Sequence, residues 1–149
     1  MRVAIGCDHA GLPLKEEILR FLADEGPQAG WEWEDFGVQT TEPVDYPDIG
    51  QAVAKAVASG EFDRGILICG TGIGMSIAAN KVRGVRAALC HDTYSARMSR
   101  EHNDANVLTM GSRVIGPGPA RDIVRIFLTT AFAGGRHARR VGKLEQGGC

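Results

Sequence analysis

The chain has 149 residues, 44% of them hydrophobic and 23% charged, with 20 glycines. That length buries about 70% of the unfolded surface in one domain without disulfide or metal staples, and the composition argues against disordered, fibrous and repeat architectures. A formal charge of -1 offers no general attraction for nucleic acid or an anionic membrane, so neither is expected as a partner.

Short β-branched runs alternate with helical patterns from end to end. Val3 to Cys7 predicts a first strand, and Leu14, Ile18 and Leu22 at i, i+4, i+8 predict a helix closed by Gly26-Pro27. Trp31 to Phe36 alternates aromatic with acidic residues, as a half-exposed edge strand does. A polar connection from Gly37 to Pro47 leads to a second helix marked by Ile49, Val53 and Val57 and stopped at Gly60. Gly65-Ile66-Leu67-Ile68-Cys69 is the continuous apolar run of a strand covered on both faces, and Gly70-Thr71-Gly72-Ile73-Gly74 leads from it into a helix over Met75 to Val82. Val85 to Cys90 predicts a fourth strand, Thr93 to Glu101 a fourth helix, Val107 to Met110 a fifth strand and Pro119 to Phe132 a fifth helix. Arg136 to Leu144 reads as a basic sixth helix.

Five βα units imply an α/β fold, a three-layer α-β-α Rossmann-like sandwich with a five-stranded parallel sheet and right-handed crossovers, in one domain over 1–149. The expected strand order is 2-1-3-4-5, which places a ligand crevice at the carboxyl ends of strands 1 and 3. The two most unusual loops, Gly6 to Gly11 and Gly70 to Gly74, follow those strands.

The net charge conceals an asymmetry: residues 1–63 carry 4 basic against 13 acidic side chains, and the remainder 13 against 5. Two oppositely charged solvated faces would explain it, and so would a local anion site or a self-complementary oligomer. Cys7, Cys69, Cys90 and Cys149 show no CxxC spacing, which disfavours zinc and disulfide frameworks. No metal site is expected. Met1 to Cys7 lacks the charged and apolar regions of a secretory signal, and no apolar run reaches membrane-spanning length, so a cytoplasmic location is expected.

The glycines of the Gly70 loop let backbone amides approach a ligand, and a helix N-terminus behind them can hold a phosphate or a developing oxyanion. A tight strand-to-helix turn would also need them. A P-loop would require a Lys that is absent, and a dinucleotide fingerprint would want Gly or Ala where Met75 stands, although Asp92 lies at a suitable distance. A cysteine phosphatase loop would need Arg at that same position. Cys69 at the mouth of the turn can act as a general base or nucleophile, whereas Cys7 and Cys90 read as inert core thiols. Asp8 can accept from sugar hydroxyls or cap its own turn, and His9 can carry a proton or bind phosphate. His102 follows Tyr94 and Met98 at i+4 spacing and reads alone as a helix-end cation. Arg136, Arg140 and Lys143 form a stripe beside His137, either a solvated basic face or a phosphate grip. A dimer could bring that last helix to a neighbour's crevice.

Gly6-Cys7-Asp8-His9-Ala10-Gly11, Asp45-Tyr46-Pro47, Cys69 to Gly74 running through Ala78-Ala79-Asn80-Lys81, Ser99-Arg100-Glu101-His102-Asn103, Gly111-Ser112-Arg113 and Gly134-Gly135-Arg136-His137 together resemble the ribose-5-phosphate isomerase B family, in order and over nearly the whole chain. The resemblance implies a cofactor-free aldose–ketose isomerase that interconverts ribose 5-phosphate and ribulose 5-phosphate through an enediolate. By position it implies Cys69 as the base, His102 as the ring-opening group with Asp8 assisting, and Thr71 with the amides of Gly70, Gly72, Ile73 and Gly74 around the enediolate. Asn103 would bind hydroxyls, His9, Arg113, Arg136 and Arg140 the phosphate, and Tyr46 would line the site. Some relatives place a Glu shortly after the glycine loop as base; Met75 stands there in this sequence, so the cysteine-base subgroup is implied. The resemblance further implies a homodimer or dimer of dimers with shared sites, the helix over 136–145 packing at the subunit interface. Other members act on allose 6-phosphate or galactose 6-phosphate, which leaves sugar length open, and a nucleotide-binding module using the Gly70 loop with Asp92 is the reading from another class. Gly26 to Trp33 departs from the family pattern and suggests a longer, irregular connection, and Gly147-Gly148-Cys149 matches no motif.

Overall fold

A computed structural model describes residues 1–147, so Cys149 lies outside the described residues. Strand β1 (Arg2–Cys7) is followed by a single 3-10 turn (His9–Gly11) and helix α1 (Leu12–Ala29). Then come β2 (Glu32–Asp35), α2 (Tyr46–Ala58), β3 (Arg64–Cys69), α3 (Ile73–Asn80), β4 (Ala87–Leu89), α4 (Thr93–Asn103), β5 (Val107–Gly111), α5 (Pro117–Thr129) and α6 (Arg136–Gln146). All four strand pairings are parallel.

Because successive strand side chains point to opposite faces, β1 and β3 sort their residues into two cores. Val3, Ile5, Ile66 and Ile68 pack against Ile18 and Leu22 of α1 and Ile123 and Phe127 of α5. Ala4, Leu67 and Cys69 pack against Val53 and Val57 of α2 and Met75 of α3. Right-handed crossovers explain the sorting: α1 and α4 carry the chain one way along the sheet and lie on one face, while α2 and α3 carry it the other way and lie on the opposite face.

The strand order is β2-β1-β3-β5-β4, which corrects the expected 2-1-3-4-5 by exchanging the last two strands. Every residue of β5 is buried, whereas β4 has three residues and none is buried. The strand with two covered faces takes the interior position, and the short exposed one takes the edge. The exchange sets the turn after β5 directly beside the Gly70 loop.

Helix ends also differ from the expectation. Pro27 lies inside α1, which runs on to Gly30 in the left-handed conformation (φ 71°), whose N–H donates to Gly26 O. The residue before Pro27 is Gly26, and without a Cβ it escapes part of the clash that drives pre-proline residues out of the helical region. Gly26 is also where the Trp33 ring comes close, 3.0 Å from where a Cβ would sit. The stretch from Gly26 to Trp33 is therefore an ordinary helix end and strand entry rather than an irregular connection. α2 starts two residues earlier than predicted, at Tyr46, and α6 extends to Gln146. No helix among the described residues is long and apolar enough to cross a membrane.

Candidate active site

Five helices begin at the carboxyl edge of the sheet, and α3 is the one whose first turn holds neither a proline nor a capping carboxylate. α1 and α2 each carry Pro in the first turn, α5 begins with Pro117 and also has Pro119, and α4 is capped by Asp92, whose carboxylate accepts from Ser95 N–H at 2.7 Å and Ser95 Oγ at 2.8 Å. That cap occupies the acidic residue a dinucleotide site would need. α3 has neither Pro nor an acidic cap in its first turn, so its N–H groups and dipole are available to an anion.

Cys69 ends β3 immediately beneath this N-terminus, and Gly72 N–H donates to its Sγ at 3.1 Å. Gly72 has φ 77°, and a Cβ there would lie 2.5 Å from Leu89 Cδ1 and 2.8 Å from the Met110 backbone, so glycine is required twice over. Thr71 Oγ1 accepts from Ile73 N–H at 3.3 Å. The Tyr46 ring lies on Gly74, 2.7 Å from where a Cβ would be. Arg113 covers Gly70 from the other side, its Nη1 3.3 Å from the corresponding Cβ position, while its N–H donates to Gly70 O at 3.0 Å.

The loop after β1 closes the same crevice. Asp8 is buried and its Oδ1 accepts from Gly11 N–H at 2.9 Å, so the capping role left open by the sequence is the one observed for that oxygen. His9 Nδ1 accepts from Val44 N–H at 3.3 Å, which leaves the ring proton on Nε2 as a donor. Ser112 Oγ donates to Ala10 O at 2.6 Å and Ser112 N–H to Cys69 O at 2.9 Å, stitching the loops after β1, β3 and β5 together.

Two supports of this crevice escape sequence reasoning. Lys15 is fully buried, and its ammonium donates to both Asp35 oxygens at 2.8 Å and to Val38 O at 2.6 Å. Burial works against the Asp35 charge, but donors from Lys15, Gly37 and Gln39 outweigh it and hold the carboxyl below its ordinary value. This pair anchors the connection that presents Val44 to His9 and Tyr46 to Gly74. Its signal was a lysine at i-3 and i-7 from the buried Ile18 and Leu22, inside an apolar stripe. The second support is His91, whose Nε2 accepts from Gly111 N–H at 2.9 Å. Burial lowers its pKa, with Asp92 opposing.

The other predicted residues form a separate group. α4 runs back across the sheet face for 11 residues, about 16 Å, so His102 and Asn103 lie at the amino edge, away from Cys69. There the His102 ring stacks on His137 with centroids 4.2 Å apart and planes 9° apart. His102, Asn103, His137, Arg140, Val141 and Leu144 line a cavity of about 350 Å³. Desolvation, then His102, Arg136 and Arg140, lower the His137 pKa. The structure thus brings together Asp8, His9, Tyr46, Cys69, Thr71, the Gly70–Gly74 amides and Arg113. It holds His102, Asn103, Arg136 and Arg140 elsewhere.

A Rossmann-like sheet with a thiol beneath an open helix N-terminus, bordered by imidazole and guanidinium groups, defines an α/β enzyme with a crevice for a small anionic substrate. The family model described as Ribose/Galactose Isomerase matches residues 3–144, and the chain belongs to that family. Ribose-5-phosphate isomerase B of Escherichia coli is 51% identical over 140 residues, 94% of this chain and 91% of that protein. D-erythrulose-4-phosphate isomerase of Pectobacterium atrosepticum is 46% identical over 97% of this chain and 93% of its own length. The solved ribose-5-phosphate isomerase B of Clostridium thermocellum superposes with a TM-score of 0.91 at 58% identity, covering 98% of this chain and 96% of that one.

Proposed function

We propose that this protein is an aldose–ketose isomerase interconverting D-ribose 5-phosphate and D-ribulose 5-phosphate. The observation that carries the reading is Cys69 Sγ, held by Gly72 N–H at 3.1 Å directly under the uncapped start of α3. On the open-chain aldose, Cys69 as thiolate removes the C2 proton, and the electron pair moves through C2=C1 onto O1 as an enediolate. The Cys69 thiol, whose proton exchanges with solvent, returns a proton to C1, and the O2 proton moves to O1, giving the ketose without oxidant or reductant. Thr71 and the amides of Gly70, Gly72, Ile73 and Gly74 stabilise the enediolate oxygens, for which preorganised donors are worth most where water is excluded. Tyr46 covers that side. Arg113 and His9 bind the phosphate from this chain.

The ring-opening His102, with Asp8 assisting, must meet Cys69 for one substrate to be processed, and the hydroxyl ligand Asn103 and the phosphate ligands Arg136 and Arg140 travel with His102. A second copy supplies them in this reading, across an interface that includes α6. The exposed Ile73, Ile77 and Leu89 beside the crevice, with Tyr94 at the start of α4, offer apolar surface for that copy to cover. A free thiol as base suits the reducing cytoplasm.

Relatives named for four- and five-carbon sugars share most of this chain's length, so the length of the sugar is decided by kcat/KM across four-, five- and six-carbon aldose phosphates. The five-carbon substrate is expected to lead. Cys69→Ala is expected to abolish deuterium incorporation from D2O at the transferred position while inorganic phosphate still binds. Retained turnover in that variant would remove Cys69 from the mechanism.

A further inference from the structure

α6 carries Arg136 and Arg140 yet contributes no buried side chain of its own, so its place on the molecule cannot come from core packing. At its start the chain is tied by the His102–His137 stack and by Ala133 N–H donating to Glu101 O at 3.0 Å. At its end Glu145 accepts from Arg86 Nη1 at 2.5 Å. Arg86 stands at the entry to β4, its N–H bonded to Asn106 Oδ1 at 2.8 Å. With the rest of its guanidinium it donates to Asn103 O at 3.0 Å and to Asp104 O at 2.9 Å. Asp104 is the left-handed residue (φ 46°) that ends α4, and its carboxylate also accepts from the buried Arg100 at 2.8 Å. One guanidinium therefore grips the last carbonyls of the helix bearing His102 and Asn103 and the last turn of the helix bearing Arg136 and Arg140.

We propose that Arg86, acting through Glu145, is a positioning residue that fixes α6 against the end of α4, and so sets the spacing between the ring-opening imidazole and the phosphate-binding arginines. The proposal rests on the functional reading above, in which those residues meet one substrate. Arg86 touches no substrate itself. Its side chain is one-fifth exposed and Glu145 about two-fifths, so the pair contributes little to global stability. Its effect falls on the position of a helix that has few other ties.

The test is Glu145→Ala, which cuts the tie to α6 and leaves Arg86 on the α4 carbonyls. KM for ribose 5-phosphate is expected to rise by about fivefold or more while kcat stays within about twofold. The dissociation constant of inorganic phosphate, measured by calorimetry, should rise in step, and hydrogen exchange over residues 136–146 should quicken. Glu145→Gln keeps a hydrogen bond to Arg86 and is expected to fall between the two. An unchanged KM with unchanged phosphate binding overturns the proposal even if exchange quickens, because α6 would then move without consequence for the substrate. A loss of kcat at unchanged KM overturns it equally. A wild-type protein that isomerises no aldose phosphate overturns the functional reading instead, and phosphate binding to wild type and Glu145→Ala still decides whether the pair positions an anion site.

Discussion

Gly111 N–H donates to His91 Nε2 at 2.9 Å, and Gly111 lies so close to Thr71 that a Cβ would sit 2.6 Å from the Thr71 backbone. The imidazole must be neutral to accept that bond, and burial lowers its pKa below the ordinary 6.5. The unfolded chain therefore binds the proton more readily, so the stability due to neutral His91 is present above about pH 6.5 and is lost as the pH falls below it. Melting temperature is expected to drop between about pH 7.5 and 5.5 in the wild type and to drop less steeply in His91→Gln. His137 shifts in the same direction and leaves a residual slope; parallel curves for the two proteins would exclude His91 as the source. Cys69 stood out as a candidate in the sequence because its flanking glycines are local, whereas His102 read alone as a helix-end cation and became a candidate only through the family resemblance. The sequence could not expose His91 or Lys15, whose partners are a backbone N–H 20 residues away and a carboxylate 20 residues away.

At the level of elements, alternation of short apolar runs with helical patterns was enough to count five strands and place both crevice loops. Strand order was not legible in that way, because it depends on which strand has two neighbours. The burial contrast between β4 and β5 is a tertiary outcome, although the short Ala-Ala-Leu of β4 beside the longer Val107–Gly111 run hints at it. An edge strand of three residues needs help, and Asn80 provides it. Its Nδ2 donates to Ala87 O at 3.0 Å and its Oδ1 accepts from Ala87 N–H at 2.9 Å, so a side-chain amide stands where a sixth strand would pair. Asn80 belongs to one of the motifs that carried the family resemblance, yet its position at the end of α3 makes it architectural. Asn80→Ala is expected to cost about 1 kcal/mol of stability, seen as a lower urea midpoint. KM should be unaltered. Lost activity at full stability would instead place Asn80 in the site.

Across the whole molecule, two ion pairs among the described residues join the acidic first half to the basic second half. Glu17 of α1 pairs with Arg121 of α5, and Glu25 with Arg125. Among the described residues Arg2, Lys55, Arg64, Lys81, Arg83, Arg97, Arg113, Arg136, Arg139, Arg140 and Lys143 have no such carboxylate partner. Of these, Arg113 borders the crevice and Arg136, Arg139, Arg140 and Lys143 lie on α6, the two places where the proposed site needs an anion held, and these lie at opposite edges of one sheet. The sequence left open whether the last helix serves its own crevice or a neighbour's, and the separation follows from α4 running antiparallel to the strands. The separation yields a prediction that does not depend on identifying the sugar. If Cys69 of one copy works with His102 of another, Cys69→Ala and His102→Asn are each inactive, but co-refolding them in equal amounts forms hybrids. In each hybrid one site carries both lesions and the other carries none, so random pairing is expected to restore about one quarter of wild-type activity. Mixing without unfolding should restore it only as fast as copies exchange. If both residues instead served a site within one chain, no mixture would recover activity, because every chain would carry one lesion in its own site.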